Sequence, residues 1–382
     1  MLCGYSMRCI AGLGNVTSVT PANALAAARG AIVMVGTARE GAGGIASVIA
    51  TYAAHGLFMR WPMVTLDSHV VGPKWRKGIA FMDALMRFFI MLLARRVGLL
   101  HLHTSSGPSF WRKACFACLA FAFGRPVLLH IHSGEFMSFY RDGCGPLRRR
   151  LVRFVLARSA RVIALSRSLR TLTLTIAPRA RVVCIPNPVI AVDGQPRQLR
   201  DPVALFLGKI CAEKGVFDLL HAWKLVQAGI HGARLVLAGE GDLTAVRQQI
   251  VRLGLVDSVE LPGWVSGVDK DRLLARTAVC VLPSYFEGMP MSLLEAMACG
   301  IPCVASSIGG IPDMITQGVE GCLIQPGDVQ ALAEGLIALL THEERYAAMS
   351  LAALARFDSE FSADRVIPRL EKLYADMGMT PR

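Results

Sequence analysis

The sequence predicts an α/β protein made of two parallel-sheet domains that face each other across a cleft. Three observations carry this reading. Short apolar runs that end in Gly, Ser or Pro alternate with helical stretches, as buried parallel strands joined by helical crossovers do. The chain has 382 residues, enough for two separate cores. A polar segment with Pro and Gly, 191–201, interrupts the alternation near the middle and reads as a linker. The expected division is therefore an extension over 1–30, a first domain over 31–190, the linker, a second domain over 202–359, and a last helical stretch over 360–382.

Residues 1–30 lack a basic segment leading into a continuous apolar run, so no secretory signal is read and disorder is one reading. The first strand is 31–35. It feeds a Gly-rich turn that ends at Gly43-Gly44, just before a helix start where backbone N–H groups can meet an anion. A bare structural turn is the competing reading. The turn is not G-x-G-x-x-G followed by a suitably spaced acid, which disfavours a nicotinamide cofactor. The longest apolar run, 79–94, contains Asp83 and Arg87 and falls short of the roughly 18–20 residues that span a bilayer. It reads as an amphipathic helix, buried or lying on a membrane. Strands follow at 97–103 (V-G-L-L-H-L-H) and 126–132 (P-V-L-L-H-I-H). Alternation puts His101 and His103 on one face, and His130 and His132 likewise. Two strands alone do not set a metal geometry, and no carboxylate pair supports one, so no metal is expected. After Pro146 a helix carries Arg148, Arg149, Arg150, Arg153 and Arg158. These charges either meet water or face an anionic surface. Strands at 161–165 and 181–185 end this half, before the turn P-N-P-V at 186–189.

The second half opens with a strand at 203–207, then Gly208, Lys209, Lys214 and Gly215. Two lysines around a Gly turn can grip a diphosphate as point charges, although a lone surface lysine is by default only solvated. A strand at 234–238 leads to Gly239 and Gly241. Another at 259–261 leads to Pro262, Gly263 and Trp264. A strand at 278–282 then meets Y-F-E-G-M-P-M-S-L-L-E-A-M-A-C-G, 285–300. Gly288 permits the turn, Pro290 suits a helix start, and Gly300 with Pro302 stops the helix. Glu295 stands among Leu293, Leu294, Ala296 and Met297, where an ionised carboxylate needs a polar partner. A sugar hydroxyl would serve; a solvated helix face is the plainer alternative.

Charge is divided unevenly. Residues 1–197 hold 25 Lys+Arg and 6 Asp+Glu, net +19, while 198–382 hold 16 and 22, net −6. No zinc finger, RNP-type run or aromatic-interleaved basic groove appears, so nucleic acid is not expected. A basic half that is also apolar suits an anionic membrane surface or a diphosphate-bearing acceptor. The 11 Cys are irregularly spaced inside apolar runs, with one C-x-x-C at Cys115 and Cys118, and read as buried apolar residues in a reducing cytoplasm.

The spacing E-G-x-P-x-S-x-x-E-A-x-A-x-G-x-P-x-V-A-S, Glu287 through Ser306, resembles the donor-binding signature of the retaining nucleotide-sugar glycosyltransferases of family 4. The resemblance covers roughly residues 31–382. It implies the GT-B fold, two Rossmann-like domains across a cleft, with the last helix, within 360–382, packing back on the first domain. It implies that Glu287 contacts the donor sugar, that Glu295 holds the ribose, and that the backbone over Gly288, Met289, Pro290 and Met291 approaches the diphosphate. Gly208, Lys209 and Lys214 match G-R-x-x-x-x-K-G, with Lys209 where Arg is usual. Gly239 and Gly241 match its A-G-x-G loop, and Gly43 and Gly44 its acceptor and phosphate loop. His132 stands where the family places its active-site histidine, with Ser133 after it in place of Gly; His130 is the alternative. Pro188 replaces a usual Gly, and Asp313 a usual Glu.

The expected function is a metal-independent, cofactor-free retaining transfer of a hexosyl or N-acetylhexosaminyl group from a nucleotide diphosphate sugar. Metal independence follows from reading no D-x-D with metal spacing. Glu287, His132 and Lys214 are the expected catalytic residues, and front-face attack with the leaving phosphate as base is the mechanism the resemblance implies. The expected acceptor is a lipid-linked or free saccharide in surface-glycan assembly, at the inner face of the cell membrane. The rival readings are a nucleotide-sugar epimerase on a related fold and a non-catalytic membrane scaffold. A dehydrogenase lacks its fingerprint.

Overall fold

A computed structural model describes residues 30–37, 43–70, 72–191, 194–199 and 201–382. The expected extension, apart from Gly30, lies outside the described residues, as do residues 38–42 of the Gly-rich turn.

The first half forms strands β1 (Ala31–Gly36), β2 (Met63–Asp67), β3 (Val97–Thr104), β4 (Val127–Ile131), β5 (Arg161–Ala164) and β6 (Val182–Cys184), ordered β2-β1-β3-β4-β5-β6. All their pairings are parallel. The connecting helices are α1 (Gly44–Ala54), α2 (Leu57–Arg60), α3 (Lys74–Leu93), α4 (Pro108–Ala122), α5 (Phe136–Arg141), α6 (Pro146–Arg158) and α7 (Arg167–Ile176). The second half has β7 (Val203–Leu207), β8 (Arg234–Ala238), β9 (Val259–Gly263), β10 (Val279–Leu282), β11 (Cys303–Ser306) and β12 (Gly321–Ile324), ordered β12-β11-β10-β7-β8-β9, again all parallel. Its helices are α8 (Val216–Gly229), α9 (Leu243–Leu253), α10 (Gly267–Arg276), α11 (Met291–Ala298), α12 (Ile311–Met314), α13 (Val329–Thr341), α14 (Glu343–Glu360) and α15 (Ala363–Asp376). The α/β class with two parallel sheets is thus observed. Strands β2, β11 and β12 were not among the predicted runs.

Because side chains alternate across a strand, the first sheet buries two separate cores. Val33, Val35 and Leu102 face Phe88 of α3, Phe116 of α4 and Val152 of α6. Ile32, Met34 and Leu99 face Tyr52 of α1 and Ile367, Leu370 and Tyr374 of α15. Helix α15 is held there by Glu371, which accepts from Arg60 Nε at 2.7 Å and from Trp61 Nε1 at 3.0 Å. Its crossing is marked by Val189, which accepts from Ala363 N at 2.8 Å. The polar segment read as a linker is anchored rather than free. Arg197 donates to the carbonyls of Cys299, Leu274, Ala275 and Thr277, all within 3.1 Å.

Candidate functional site

The carboxyl ends of both sheets open on one cleft of about 980 Å³. Open parallel sheets take ligands at that edge. The first domain lines it with Gly43, Gly44 and His132, and the second with Gly208, Lys209, Lys214, Gly241, Glu287, Gly288, Met289, Pro290, Met291 and Glu295. Sequence positions far apart are thus brought together. Gly239 stands behind this wall, where a Cβ would strike the Gly208 carbonyl oxygen, so it keeps β8 close to the Gly208 turn.

Two loops meet across the cleft. The chain leaves β4 at His132, and the chain leaving β10 turns at Gly288. A Cβ on Gly134 would collide with the Glu287 carbonyl, and one on Gly288 would lie 2.6 Å from the His132 carbonyl oxygen. Glycine is needed at both because backbone meets backbone. Asn187 ties the same place together, donating from Nδ2 to the Met289 carbonyl at 3.0 Å. Asp313 closes the far side: its Oδ2 accepts from Arg167 N, at the start of α7, at 2.5 Å. The shorter acid still reaches the first domain.

The second-domain wall is built from ion pairs. Lys214 Nζ lies 2.6 Å from Glu287 Oε1, which also accepts from Ser284 Oγ at 2.8 Å. The carboxylate is 9% exposed, so the lysine and the hydroxyl offset its desolvation. An ammonium has three donors, so two remain for phosphate oxygens. Glu295, on the cleft side of α11, has its own partner: Lys270 Nζ of α10, 2.8 Å from Oε1. That lysine answers what meets a carboxylate in an apolar helix. Lys209 is exposed, and Trp264, half exposed, lines the same cleft.

The first-domain wall is different. His101, His103, His130 and His132 form one stack, with successive ring centroids 4.4, 4.9 and 4.1 Å apart. All four lie on one side of the sheet. His101 Nδ1 pairs with the Tyr374 hydroxyl at 2.7 Å, and His103 Nδ1 with His132 Nε2 at 2.9 Å. Burial pushes His101 down to about 3, and holds His103 and His130 well below their usual value. Burial takes His132 to about 3 as well, against a raising hydrogen bond from Asn187. At neutral pH these rings are uncharged, so His132 can hydrogen-bond a substrate but cannot act there as a cationic acid. His132 lines the cleft and His130 is fully buried behind it. Ring nitrogens of His101, His103 and His130 come within 4.8 Å of one another. The structure therefore does supply a three-histidine geometry that the sequence reading withheld. Lys113 of α4, 1% exposed, lies behind the same wall, and burial, then Arg112, lowers it to about 7.

One sequence reading needs correction. A formal D-x-D exists, Asp269-Lys270-Asp271, in α10. Its lysine faces Glu295, both aspartates are exposed, and Asp269 pairs with Arg272 at 3.4 Å. Successive helical residues point about 100° apart, so its two carboxylates diverge from the side that carries Lys270. Sequence reasoning also missed Ser284, Lys270 and Asn187. The first two are commonplace residues whose partners lie on other segments. Asn187 is legible in the sequence only as part of the turn at 186–189.

Two family descriptions match. Residues 22–191 fit "Glycosyltransferase Family 4", and residues 201–342 fit "Glycosyl transferases group 1". Among curated relatives, the chain is 32% identical over 165 residues to the N-acetyl-alpha-D-glucosaminyl L-malate synthase of Bacillus anthracis, covering 43% of this chain and 42% of that protein. It is 33% identical over 165 residues to the amylovoran biosynthesis glycosyltransferase AmsK of Erwinia amylovora, covering 41% and 40%. Each match thus spans less than half of the relative's length. Among solved structures, Anabaena HepE in complex with UDP-glucose superposes with a TM-score of 0.73 at 18% identity, covering 91% of this chain and 99% of that one.

Proposed function

The chain belongs to the family 4 glycosyltransferases, with a group 1 domain as its second half and the GT-B fold, and on that premise we propose that it moves a sugar, with retention, from a nucleotide diphosphate sugar to a saccharide acceptor. The observation that carries this reading is the Lys214–Glu287–Ser284 cluster, poised over a glycine-floored turn at the sheet's ligand-binding edge. Lys214, fixed by Glu287, neutralises the diphosphate as it leaves, and Lys209 adds charge at the rim. Among the described residues Glu287 makes both its bonds through Oε1, which leaves the other oxygen for a donor-sugar hydroxyl. Glu295, held by Lys270, receives the ribose, and Trp264 the base. His132, neutral, accepts from or donates to the sugar and acceptor.

Glu287 is already engaged by a lysine and a serine, which suits a positioning role rather than a nucleophile's. Front-face attack follows, with the leaving phosphate taking the acceptor's proton. No metal or cofactor is needed in this scheme: the two lysines supply the charge. The acceptor is a lipid-linked saccharide in surface-glycan assembly, met at the inner face of the cell membrane. The support is the basic, apolar first half and the likeness to a polysaccharide-assembly transferase. The attachment we propose is peripheral; no helix among the described residues is long and apolar enough to cross a membrane.

The test is turnover. Purified protein is incubated with UDP-, GDP- and ADP-sugars and lipid-linked saccharides, and nucleoside diphosphate release is followed. Release that requires acceptor, with the product's anomeric configuration that of the donor, supports the proposal. Donor conversion without acceptor would establish the epimerase reading instead.

A further inference from the structure

Helix α3 is amphipathic with its apolar stripe on the outside. Ala84, Phe88, Met91 and Leu92 face the core. On the other side Trp75, Ile79, Met82, Met86, Ile90 and Leu93 are 42–65% exposed. At about 100° per residue these six fall within about 80° of the helix circumference and extend for about 27 Å. A soluble domain rarely shows so long an apolar stripe without something to cover it. The rim is basic: Lys74 and Arg76 at one end, Arg87 along the side, Arg95 and Arg96 at the other end. Its one acid, Asp83, is paired with Arg87 at 2.9 Å.

The neighbours extend this surface. Phe123, exposed after α4, meets Phe89 of α3 edge to face at 6.0 Å. Helix α6 packs beside α4, where Phe154 meets Phe121 at 5.8 Å, and it exposes Leu147, Arg148, Arg150 and Arg153. These helices share one side of the first sheet, opposite α15.

We propose that the exposed stripe of α3, flanked by α6, is the surface that docks on an anionic lipid bilayer, lying in its plane with Trp75, Ile79, Met82 and Met86 in the acyl boundary and the arginines and lysines at the head groups. Charge decides between a bilayer and a second copy of this chain. A two-fold contact along α3 sets basic end against basic end whether the helices run parallel or antiparallel, whereas anionic head groups complement both ends at once. The placement also serves the cleft. His69 lines it, and only four residues separate His69 from Lys74 at the start of α3, a span of at most about 18 Å of chain. The docking surface itself stands on α3 alone; its purpose, delivery of a lipid-linked acceptor, rests on the transferase reading above.

The test is co-sedimentation of the full chain with phosphatidylcholine vesicles and with vesicles rich in phosphatidylglycerol, at low and high salt. The protein is expected to bind the anionic vesicles about tenfold better or more, with the difference shrinking in salt. The double variant Ile79→Glu/Met86→Glu is expected to lose about tenfold or more of that binding. Its melting temperature and its nucleotide-induced thermal shift should stay unchanged, since both positions are exposed and outside the cleft. Quenching of tryptophan by brominated lipid should disappear in Trp75→Phe. Equal vesicle binding by the double variant overturns the proposal. So does a wild-type dimer in sedimentation equilibrium that the double variant dissolves. Nucleotide binding without vesicle binding defeats the docking surface alone; vesicle binding without nucleotide binding defeats the transferase reading alone.

Discussion

The two walls of the cleft handle buried titratable groups in opposite ways. In the second domain the two carboxylates Glu287 and Glu295 each have a lysine, Lys214 and Lys270, and charge is kept where a diphosphate would arrive. In the first domain four imidazoles and Lys113 are packed together with almost no counter-charge, so burial drives protons off. Pairing keeps a charge available; burial without pairing removes it. One wall therefore offers electrostatics and the other offers shape and neutral hydrogen bonds. That division suits the transfer proposed above, from a charged donor to a saccharide.

Breaking the charged wall should have the largest effect. Lys214→Ala is expected to lower kcat about 10²–10³-fold in steady-state turnover, and to lower the melting temperature as well, because Glu287 loses its counter-charge. An equally active variant would remove Lys214 from the account. Breaking the contact between the walls comes next. Gly134→Ala forces a methyl group onto the Glu287 carbonyl, and a displacement of this kind should cost about 10²-fold in kcat, with the donor still bound.

The neutral wall responds to pH and to loss of its buried amine. Lys113→Met is expected to stabilise the protein by about 2 kcal/mol near pH 7 in chemical denaturation. The sign follows from its value of about 7, below the ordinary 10.5. The buried ammonium destabilises the fold fully below about pH 7. That penalty fades as pH rises toward 10.5, so the gap between variant and wild type should shrink over that window. The histidines act at lower pH. Their values lie below the ordinary 6.5, so stability is complete above 6.5 and is lost as pH falls toward about 3, by about 1.4 kcal/mol per pH unit for each ring that stays neutral. Hydrogen exchange should show β3 and β4 loosening at pH 5 before β10 and β11 do. The smallest effect is expected at Glu295→Gln, which keeps the shape and loses the charge held by Lys270. Donor KM should rise about tenfold with kcat nearly unchanged.

What the sequence made legible follows the same division. Strands β7 and β8 match the predicted runs residue for residue, because V-A-L-F-L and R-L-V-L-A are bounded by turns with Gly or Pro. Strand β12, G-C-L-I, is four residues long, too short for alternation or run length to distinguish. Glycines and carboxylates of the second wall could be named because local spacing sets them. Lys270 could not, because one lysine on an amphipathic helix carries no sign of a partner 25 residues away. The histidine pairs were legible as alternation on each strand. Their merger into one stack depends on the register of β3 beside β4, which puts His103 opposite His130, and no local pattern encodes that. Likewise Tyr374 reaches His101 only because α15 returns to the first sheet. The exposed stripe of α3 was legible as amphipathicity, but which side faces water is a matter of packing.

The most direct test of the central claim, that the Lys214–Glu287 wall binds a nucleotide diphosphate through protein charge alone, is a thermal-shift panel of UDP, GDP, ADP and their sugars, in EDTA and then in magnesium. A rise in melting temperature with one nucleotide, the same in EDTA and magnesium and lost in Lys214→Ala, is the result this account predicts. A rise that needs magnesium, or one that Lys214→Ala retains in full, would contradict it.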